Sequence, residues 1–197
     1  MILKMAAAAA CLLMLAGPAA AGDFHVVPHG SYLIDLDTQD GNFSQWETHD
    51  VGDINALRAH MTFARKGSGQ YAPVVTVAVL SGDKEVRVQF TAFPKSGPLI
   101  GLVHGTKPDN GDKPAGIDDP NLQLVLMPPE FSEGFDLHVS WTPDGKVSFD
   151  VYDKANKSVG QGFEHHVMAL DGPVTGIRLS NSTGEVEFNK LELGTEN

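Results

Sequence analysis

A short apolar–polar alternation constrains the fold of this chain more than any other feature. Alternation with a period of two places successive side chains on opposite faces of a β-strand. It is clearest in Leu57–Arg65, Glu85–Phe93, Phe135–Thr142 and Lys146–Asp153, and Gly, Pro, Asn and Asp separate such segments along most of the sequence. Val74–Leu80 is apolar on both faces, as is typical of a central strand. The pattern predicts an all-β chain that forms a two-sheet antiparallel β-sandwich, a jelly roll.

Twelve segments are predicted to be strands. They are Phe24–Val27, Tyr32–Asp35, Leu57–Arg65, Val74–Leu80, Glu85–Phe93, Leu99–His104, Leu122–Met127, Phe135–Thr142, Lys146–Asp153, Ser158–Val167, Thr175–Asn181 and Glu185–Leu193. In the last of these the alternation slips near Asn189, which predicts a bulge. Glu164–Leu170 is interpreted as strand or loop, with one short helix as the alternative. The segments Thr38–Asp53 and Lys107–Pro120 are predicted to be long loops.

The pairing of the two strands in one hairpin can be predicted from its turn residues. In Thr142-Pro143-Asp144-Gly145-Lys146, Pro143 and Asp144 suit a type I turn, and Gly145 suits a following left-handed residue. This three-residue loop pairs the apolar residues of the two strands with each other, for example Trp141 with Val147. The polar residues then pair on the opposite face, for example His138 with Asp150. One face is wholly apolar and the other wholly polar, as a sandwich requires.

Residues 1–21 have the pattern of a secretory signal peptide. They contain one positive charge at Lys4, an apolar run over Met5–Ala16, and small residues at positions 19–21. The run is too short to span a bilayer, so we expect no membrane insertion of the mature chain. We therefore expect a secreted or periplasmic protein with one domain over residues 22–197. Its only cysteine, Cys11, lies within the leader, so the domain is expected to fold without disulfides.

The net charge excludes one class of partner. The chain carries 14 Lys and Arg against 25 Asp and Glu, a formal net charge of −11 at pH 7. Nucleic-acid binding needs clustered basic residues that neutralise phosphates, so we expect no nucleic-acid partner.

The run Phe135–Asp153 resembles the strand–turn–strand unit of concanavalin A-like lectin and glucanase domains, including laminin-G-like domains. An apolar strand ends near a tryptophan, a Pro-Asp-Gly turn follows, and the next strand carries a central aromatic residue. The segment Gly176–Leu193 is similar to the closing hairpin of these domains. Over roughly the last sixty residues the resemblance rests on these motifs. Over the rest of the chain it rests only on the spacing of the predicted strands. It implies two curved antiparallel sheets and, in many such domains, glycan binding.

The acid motif that glycosidases of this architecture carry is absent. Those enzymes use Glu-x-Asp-x-x-Glu on one strand, which places the acids on one face. Glu130, Glu133 and Asp136 have a different spacing, and Glu185-Val186-Glu187 lacks a third acid. Jelly-roll lyases use an Arg, a Gln-x-His and a tyrosine strand, but Gln89 is followed by Phe90 and Thr91. These absences favour a non-enzymatic protein and leave the question of catalysis open.

A polar ladder on the registered hairpin is the candidate ligand site. Its residues are Asp136, His138, Ser140, Asp150 and Tyr152. Carboxylates, an imidazole and a hydroxyl can form directional hydrogen bonds with sugar hydroxyls, and a tyrosine ring can stack on a pyranose. The alternative is the solvated outer face that any antiparallel sandwich has. Glu85, Arg87, Gln89 and Thr91 form a second ladder, for which a solvated face is the stronger expectation.

Acidic residues in the Lys107–Pro120 loop are the candidate metal ligands. Asp109, Asp112, Asp118 and Asp119 offer the hard oxygens that Ca²⁺ prefers. The alternative is a flexible acidic loop that binds no cation.

Together these features predict a secreted or periplasmic, non-catalytic carbohydrate-binding domain with a glycan as its partner. Two alternatives stay open. One is a glycan hydrolase or lyase with a non-standard site, and the other is an envelope structural or interaction domain without a small ligand. A groove that holds two facing carboxylates would favour the hydrolase.

Overall fold

The computed structural model describes residues 24–40, 42–49, 51–65, 73–91, 99–106, 122–126, 131, 133–153, 166–170 and 172–196. For residues 27–30, 99–106, 122–126 and 166–167 the description covers the backbone only. No helix in this part of the chain is long and apolar enough to cross a membrane.

The described residues form twelve strands. These are β1 Phe24–Thr38, β2 Ser44–Thr48, β3 Ala56–Arg65, β4 Val74–Ser81, β5 Lys84–Thr91, β6 Leu99–Thr106, β7 Leu122–Leu126, β8 Phe135–Trp141, β9 Lys146–Tyr152, β10 His166–Ala169, β11 Gly176–Asn181 and β12 Gly184–Glu196. Sheet A has the strand order β1-β12-β3-β8-β9-β10, and sheet B has the order β2-β11-β4-β5-β6-β7. Every neighbouring pair is antiparallel, which confirms the predicted two-sheet antiparallel β-sandwich.

The alternating apolar residues of both sheets form one core between them. Sheet A contributes Phe135, Phe149 and Phe188, and sheet B contributes Val77 and Phe90, all fully buried. The rings of Phe90 and Phe135 meet across the core with centroids 4.7 Å apart. Burying each of these side chains stabilises the fold by roughly 1.5–3 kcal/mol relative to exposure. The strands therefore keep their apolar face inward and leave the opposite face of each sheet for polar residues.

The predicted hairpin register is confirmed. Trp141 pairs with Val147, Val139 with Phe149, and His138 with Asp150. The Thr142 N–H donates to the Lys146 carbonyl and the Gly145 N–H to the Thr142 carbonyl, each at 2.9 Å. Gly145 has a φ of 83°, the left-handed conformation that the turn requires.

The predicted bulge in the last strand is also confirmed. Lys190 has a φ of 50°, and the register between β12 and β3 shifts between Asn189 and Glu192. The extra residue returns Leu191 and Leu193 to the core after the alternation has slipped.

Two predictions about elements need correction. Ser44–Thr48 was expected within a loop, but it forms the edge strand β2, because its backbone pairs with β11 despite a mostly polar sequence. The two predicted N-terminal strands are one strand, β1, whose pairing with β12 is irregular between Val26 and Ser31. Trp46 accordingly lies on β2 and packs against the core rather than in a loop. Within Glu164–Leu170, residues His166–Ala169 form strand β10, which confirms the strand interpretation for those four residues.

Several expectations fall on residues outside the described part of the chain. They concern the leader over residues 1–21, the loop at 107–120, and the start of the predicted strand Ser158–Val167.

Candidate functional site

The five predicted ligand residues lie together on the polar face of sheet A. Pairing of β8 with β9 places Asp136 opposite Tyr152, His138 opposite Asp150, and Ser140 opposite Ser148. Asp136 is exposed, whereas His138, Ser140, Asp150 and Tyr152 are half-buried. Their alternation partners Leu137, Val139 and Val151 point into the core. The rigid hairpin therefore fixes the spacing of the ladder, as a binding surface on two strands requires.

Strand β3 extends this ladder with two basic side chains. Its register sets His60 beside Asp136 and Arg58 beside His138. His60 Nδ1 and Asp136 Oδ1 are 2.7 Å apart, and Arg58 Nε donates to His138 Nε2 over 2.5 Å. Each ladder residue of β8 that can ionise thus has a partner on the neighbouring strand.

The last residues of β12 complete the network. Arg58 Nη2 lies 3.2 Å from Glu196 Oε1, and His138 Nε2 lies 3.6 Å from Glu196 Oε2. The Asn55 side chain holds the backbone of Glu196 by donating to its carbonyl at 2.9 Å and accepting from its N–H at 2.7 Å. The Asn55 side chain therefore pairs with the Glu196 backbone as a neighbouring strand would. This fixes the position of Glu196 beside the ladder.

An aromatic ring from β1 lies across the same face. The centroid of the Phe24 ring is 4.1 Å from the Arg58 guanidinium carbon and 6.3 Å from the His138 ring, which it meets edge-on. Phe24 reaches these residues across β12 at Gly194, where an added Cβ would lie 2.8 Å from Phe24 Cζ and 2.5 Å from the His25 carbonyl oxygen. The ring covers part of the Arg58 guanidinium and contributes a cation–π contact.

His138 is held as a neutral acceptor. An arginine Nε can only donate, so the contact with His138 Nε2 requires a lone pair on that nitrogen. Burial lowers the pKa of His138 below its ordinary value of 6.5, and the Arg58 charge lowers it further. The Glu196 and Asp150 carboxylates act in the opposite direction, with Glu196 the stronger of the two. Desolvation prevails, so the imidazole favours its uncharged form.

The Tyr152 hydroxyl keeps its proton for similar reasons. Burial raises the pKa of Tyr152, and the negative charges of Asp150 and Glu196 raise it further. Tyr152 therefore offers a hydroxyl that can donate and accept at neutral pH.

A shallow hollow of about 330 Å³ lies at the turn end of the ladder. Its lining residues are Asn55, Ser140, Trp141, Thr142, Lys146, Ser148 and Glu196. The hollow lies at the small end of the range for ligand pockets, which is roughly 300–1,000 Å³. It combines hydroxyl, amide and carboxylate groups with an apolar floor, which suits a small polyhydroxyl group better than a large apolar ligand.

Five residues of this site were missed by the sequence analysis: Phe24, Asn55, Arg58, His60 and Glu196. Arg58 lies on the polar side of a correctly predicted strand, but nothing local shows that β3 pairs with β8, about 80 residues away. Glu196 follows the segment in which the last strand was expected to end, at Leu193. Long-range strand order was the missing information, and one sequence does not contain a short motif for it.

The second predicted ladder is buried rather than solvated. Glu85, Arg87 and Gln89 of β5 have 1%, 6% and 6% of their surface exposed, although their side chains point away from the core. Alternation correctly gave them a shared face, but it carries no information on what shields that face. Thr91, at the end of β5, is half-buried.

No group of three or more His, Cys, Asp or Glu residues suited to a metal ion occurs among the described residues. The predicted calcium ligands Asp109, Asp112, Asp118 and Asp119 lie outside that part of the chain.

No protein-family model matches the sequence, and no curated protein matches it either. Solved structures do resemble the fold. A Crh5 transglycosylase in complex with NAG has 13% identity and a TM-score of 0.52, with 90% of this chain and 77% of that chain covered. Scytalido-glutamic peptidase with a transition state analog inhibitor has 12% identity and a TM-score of 0.50, with 79% and 81% covered.

A prokaryotic beta-1,3-1,4-glucanase (lichenase) derived from a mouse hindgut metagenome has 13% identity and a TM-score of 0.47, with 78% and 71% covered. At such identities a structural likeness establishes architecture only. A transglycosylase and a peptidase on one architecture illustrate that fold does not fix chemistry. The strand order, the packed sheets and the likeness to the Crh5 transglycosylase agree on the fold, a two-sheet antiparallel β-sandwich like that of concanavalin A-like domains.

Proposed function

We propose that the protein is a non-catalytic glycan-binding domain of the cell exterior or periplasm. The observation that carries the proposal is the hollow at the turn end of the ladder, which Asn55, Ser140, Ser148 and Glu196 line together with Trp141. Sugars present hydroxyl groups at their edges and C–H groups on their faces. A hollow with hydrogen-bonding walls and an apolar base complements both features.

The geometry of the ladder supports binding over catalysis. Asp136 is engaged by His60, and Glu196 by Arg58. A carboxylate that serves as nucleophile or as general acid and base needs a second carboxylate at a set separation and freedom to exchange a proton. Fixed ion pairs instead offer static hydrogen-bond acceptors, which is the role a binding surface needs.

A glycan array probed with the chain lacking residues 1–21, with and without a chelator, tests the proposal. We expect binding to one class of oligosaccharide. Loss of that binding in the presence of the chelator would add a cation to the site. Calorimetry on the best ligand then measures the contribution of the ladder. Tyr152→Ala and Ser140→Ala should each weaken binding about tenfold or more, because Ser140 lines the hollow and Tyr152 is a hydrogen-bonding group of the ladder.

Gln39→Ala is the matched control, since Gln39 is exposed in the turn after β1, away from the ladder. It should bind as the unchanged protein does. If both ladder variants retain full affinity, the ladder is not the binding surface. If no oligosaccharide binds at all, an envelope interaction domain becomes the better description.

One observation favours a hydrolase as the second candidate. Glu196 and Asp150 both act electrostatically on His138, so two carboxylates flank one imidazole on this face. Release of reducing ends from the bound oligosaccharide, abolished by Glu196→Gln, would establish hydrolysis in place of simple binding.

A further inference from the structure

The carboxylate of Glu196 links the hollow to the polar ladder, because it lines the hollow and also lies beside His138. Asn55 holds the Glu196 backbone, so a rearrangement at this residue falls on its side chain. Glu196 Oε1 accepts a hydrogen bond from Arg58 Nη2 at 3.2 Å. Glu196 Oε2 lies 3.6 Å from His138 Nε2, which is too far for a hydrogen bond. The Oε2 atom can therefore accept a hydrogen bond from a hydroxyl group in the hollow.

A proton on His138 exchanges one contact of its Nε2 atom for another. In the structure Arg58 Nε donates to Nε2 over 2.5 Å, so Nε2 carries a lone pair and the neutral ring has its proton on Nδ1. Two acceptor atoms, His138 Nε2 and Glu196 Oε2, then face each other with no proton between them. Protonation turns Nε2 into a donor and breaks its contact with Arg58. The new N–H group forms a charge-assisted hydrogen bond with Oε2 once the two atoms approach by about 0.8 Å.

This exchange needs no opening of the fold. Arg58 keeps its contact with Glu196 Oε1 and stays over the Phe24 ring, whose centroid is 4.1 Å from the guanidinium carbon. The side chains of His138 and Glu196 are 14% and 16% exposed, so solvent can deliver a proton to them where they stand. A small rotation of the Glu196 side chain is then sufficient.

Other charged groups surround His138 on the same face of sheet A. Asp150 of β9 is directly opposite and favours the protonated ring, whereas Arg58 of β3 opposes it. The described charged or titratable side chains in the two rows around His138 are Arg58, His60, Asp136, Asp150, Tyr152, Glu192 and Glu196. His60, the second imidazole, contacts Asp136 at 2.7 Å. His138 is the imidazole beside Glu196, so His60 provides a matched comparison.

From this arrangement we propose that His138 regulates ligand binding at the hollow by pH. Its protonation ties Glu196 Oε2 to the imidazolium, removes that oxygen as an acceptor for a sugar hydroxyl, and weakens binding in acid. The inference rests on the function proposed for the hollow and adds the residue that controls it and the direction of control. Burial and the Arg58 charge lower the pKa of His138, so the change is expected below pH 6.5, the ordinary value.

The proton-dependent contact is tested first without a ligand, on the chain lacking residues 1–21, which retains all twelve strands. Ring-nitrogen NMR at pH 7.5 should show His138 with a bare Nε2 and a protonated Nδ1, and a pH titration gives the midpoint. Crystal structures on either side of that midpoint should show the Nε2–Oε2 distance falling to about 2.8 Å on the acid side. A neutral ring that carries its proton on Nε2, or an acid structure that keeps the 3.6 Å separation, overturns the proposal.

Calorimetry then measures the effect on binding. The probes are cellotetraose, laminaritetraose and tetra-N-acetylchitotetraose, which have no group that titrates between pH 7.5 and 5. A probe that binds above the His138 midpoint should bind about tenfold more weakly below it, because a hydrogen bond to a charged group is lost. In His138→Gln the ratio of the two affinities should be close to one. In His60→Gln, the matched control, the ratio should remain that of the unchanged protein.

Thermodynamic linkage provides a second readout. A tenfold loss of affinity requires a saturating probe to lower the pKa of His138 by about 1. Equal affinities on both sides of the midpoint, or a loss that persists in His138→Gln, would overturn the regulation and leave glycan binding intact. If none of the three probes binds at pH 7.5, both the glycan-binding function and its regulation are contradicted for these ligands. The ligand-free measurements still distinguish that result from a failure of the contact between His138 and Glu196.

Discussion

The imidazole of His138 can keep its contact with Arg58 only while its Nε2 atom carries no proton. Protonation would set a second cation beside the Arg58 guanidinium in a half-buried place, and the nearby Glu196 and Asp150 carboxylates offset this only in part. This side chain therefore couples the polar face of sheet A to the pH of its surroundings.

We predict that the protein loses stability as the pH falls below about 6.5, the ordinary value for an unfolded histidine. Burial lowers the pKa of His138 in the folded chain, so the unfolded chain binds the proton first and gains the advantage. The stabilisation that comes from the uncharged His138 is fully present above pH 6.5. It is lost as the pH falls toward the pKa of His138 in the folded chain. Urea unfolding between pH 7.5 and 5 measures it. In His138→Gln the decline should be smaller, and an equal decline would show that other groups cause it.

Asn181 is a second residue whose role rests on burial. Its Nδ2 donates to the carbonyls of Leu36 and Gly184, each at 3.0 Å, and it has no exposed surface. The amide thus ties β1 of sheet A to the turn between β11 and β12.

Asn181→Ala should lower the free energy of unfolding by about 2–3 kcal/mol, because two buried carbonyls lose their donor. Asn181→Asp keeps the shape without the donor and should cost at least as much. Denaturant unfolding measures both, with Gln39→Ala as an exposed control. A loss below about 0.5 kcal/mol in both variants would show that water replaces the amide.

At the level of elements, the β8–β9 hairpin depends on close packing as well as on turn geometry. A Cβ at Gly145 would lie 2.5 Å from the Gly172 carbonyl oxygen and 2.8 Å from that of Leu170. Gly82, in the turn between β4 and β5, also has a positive φ, 60°, but nothing lies within 4 Å of an added Cβ. A side chain at Gly82 would therefore meet only backbone strain, whereas a side chain at Gly145 would meet both backbone strain and crowding.

We predict that Gly82→Ala costs about 1–2 kcal/mol from the left-handed backbone alone. Gly145→Ala should cost about 1–3 kcal/mol more, since the methyl group must also displace backbone atoms. Thermal unfolding of the two variants provides the comparison. Equal losses would mean that the Gly145 region relaxes without penalty.

An element could be predicted from the sequence when the residues that determine it are close together in the chain. The β8–β9 register depends on the residues of one turn and on the alternation in its two strands. It could therefore be predicted from a short stretch of sequence. Strand β2 was missed because Ser44–Thr48 has little alternation and gains its structure from pairing with β11. The bulge at Lys190 was found because a slip in alternation marks it.

On the scale of the whole molecule, the two ends of the described chain meet in sheet A. Strand β12 lies between β1 and β3, and its Phe188, Leu191 and Leu193 enter the core. The center of sheet A therefore closes only when the last strand has been synthesised and placed.

Removal of residues 191–197 should prevent stable folding, because β1 and β3 would lose about half of the strand that they share and the core would lose two leucines. Near-ultraviolet circular dichroism and proton NMR dispersion would show the loss of packed side chains. Removal of Asn197 alone is the control and should leave both signals intact. A folded product from the longer truncation would mean that residues 184–190 of β12 suffice to join β1 and β3.

The sequence alone predicts the two polar faces. It ranks them as candidate ligand sites without information on what surrounds each face. The ladder of sheet A was correctly assembled because one hairpin carries it. Its connection to Arg58 and Glu196, and the burial of Glu85 and Arg87 on sheet B, depend on strand order across the fold. Such order is set by the packing of the entire core and not by any short segment.

The burial of Asn181 has a practical consequence for producing this protein in a host that attaches N-linked glycans. Asn181-Ser182-Thr183 and Asn42-Phe43-Ser44 both match the acceptor sequence, but only Asn42 is exposed. A glycan attached at Asn181 before folding could not fit between β1 and the β11–β12 turn. Such a host should secrete material with sugar at Asn42 alone and retain doubly modified chains as misfolded product.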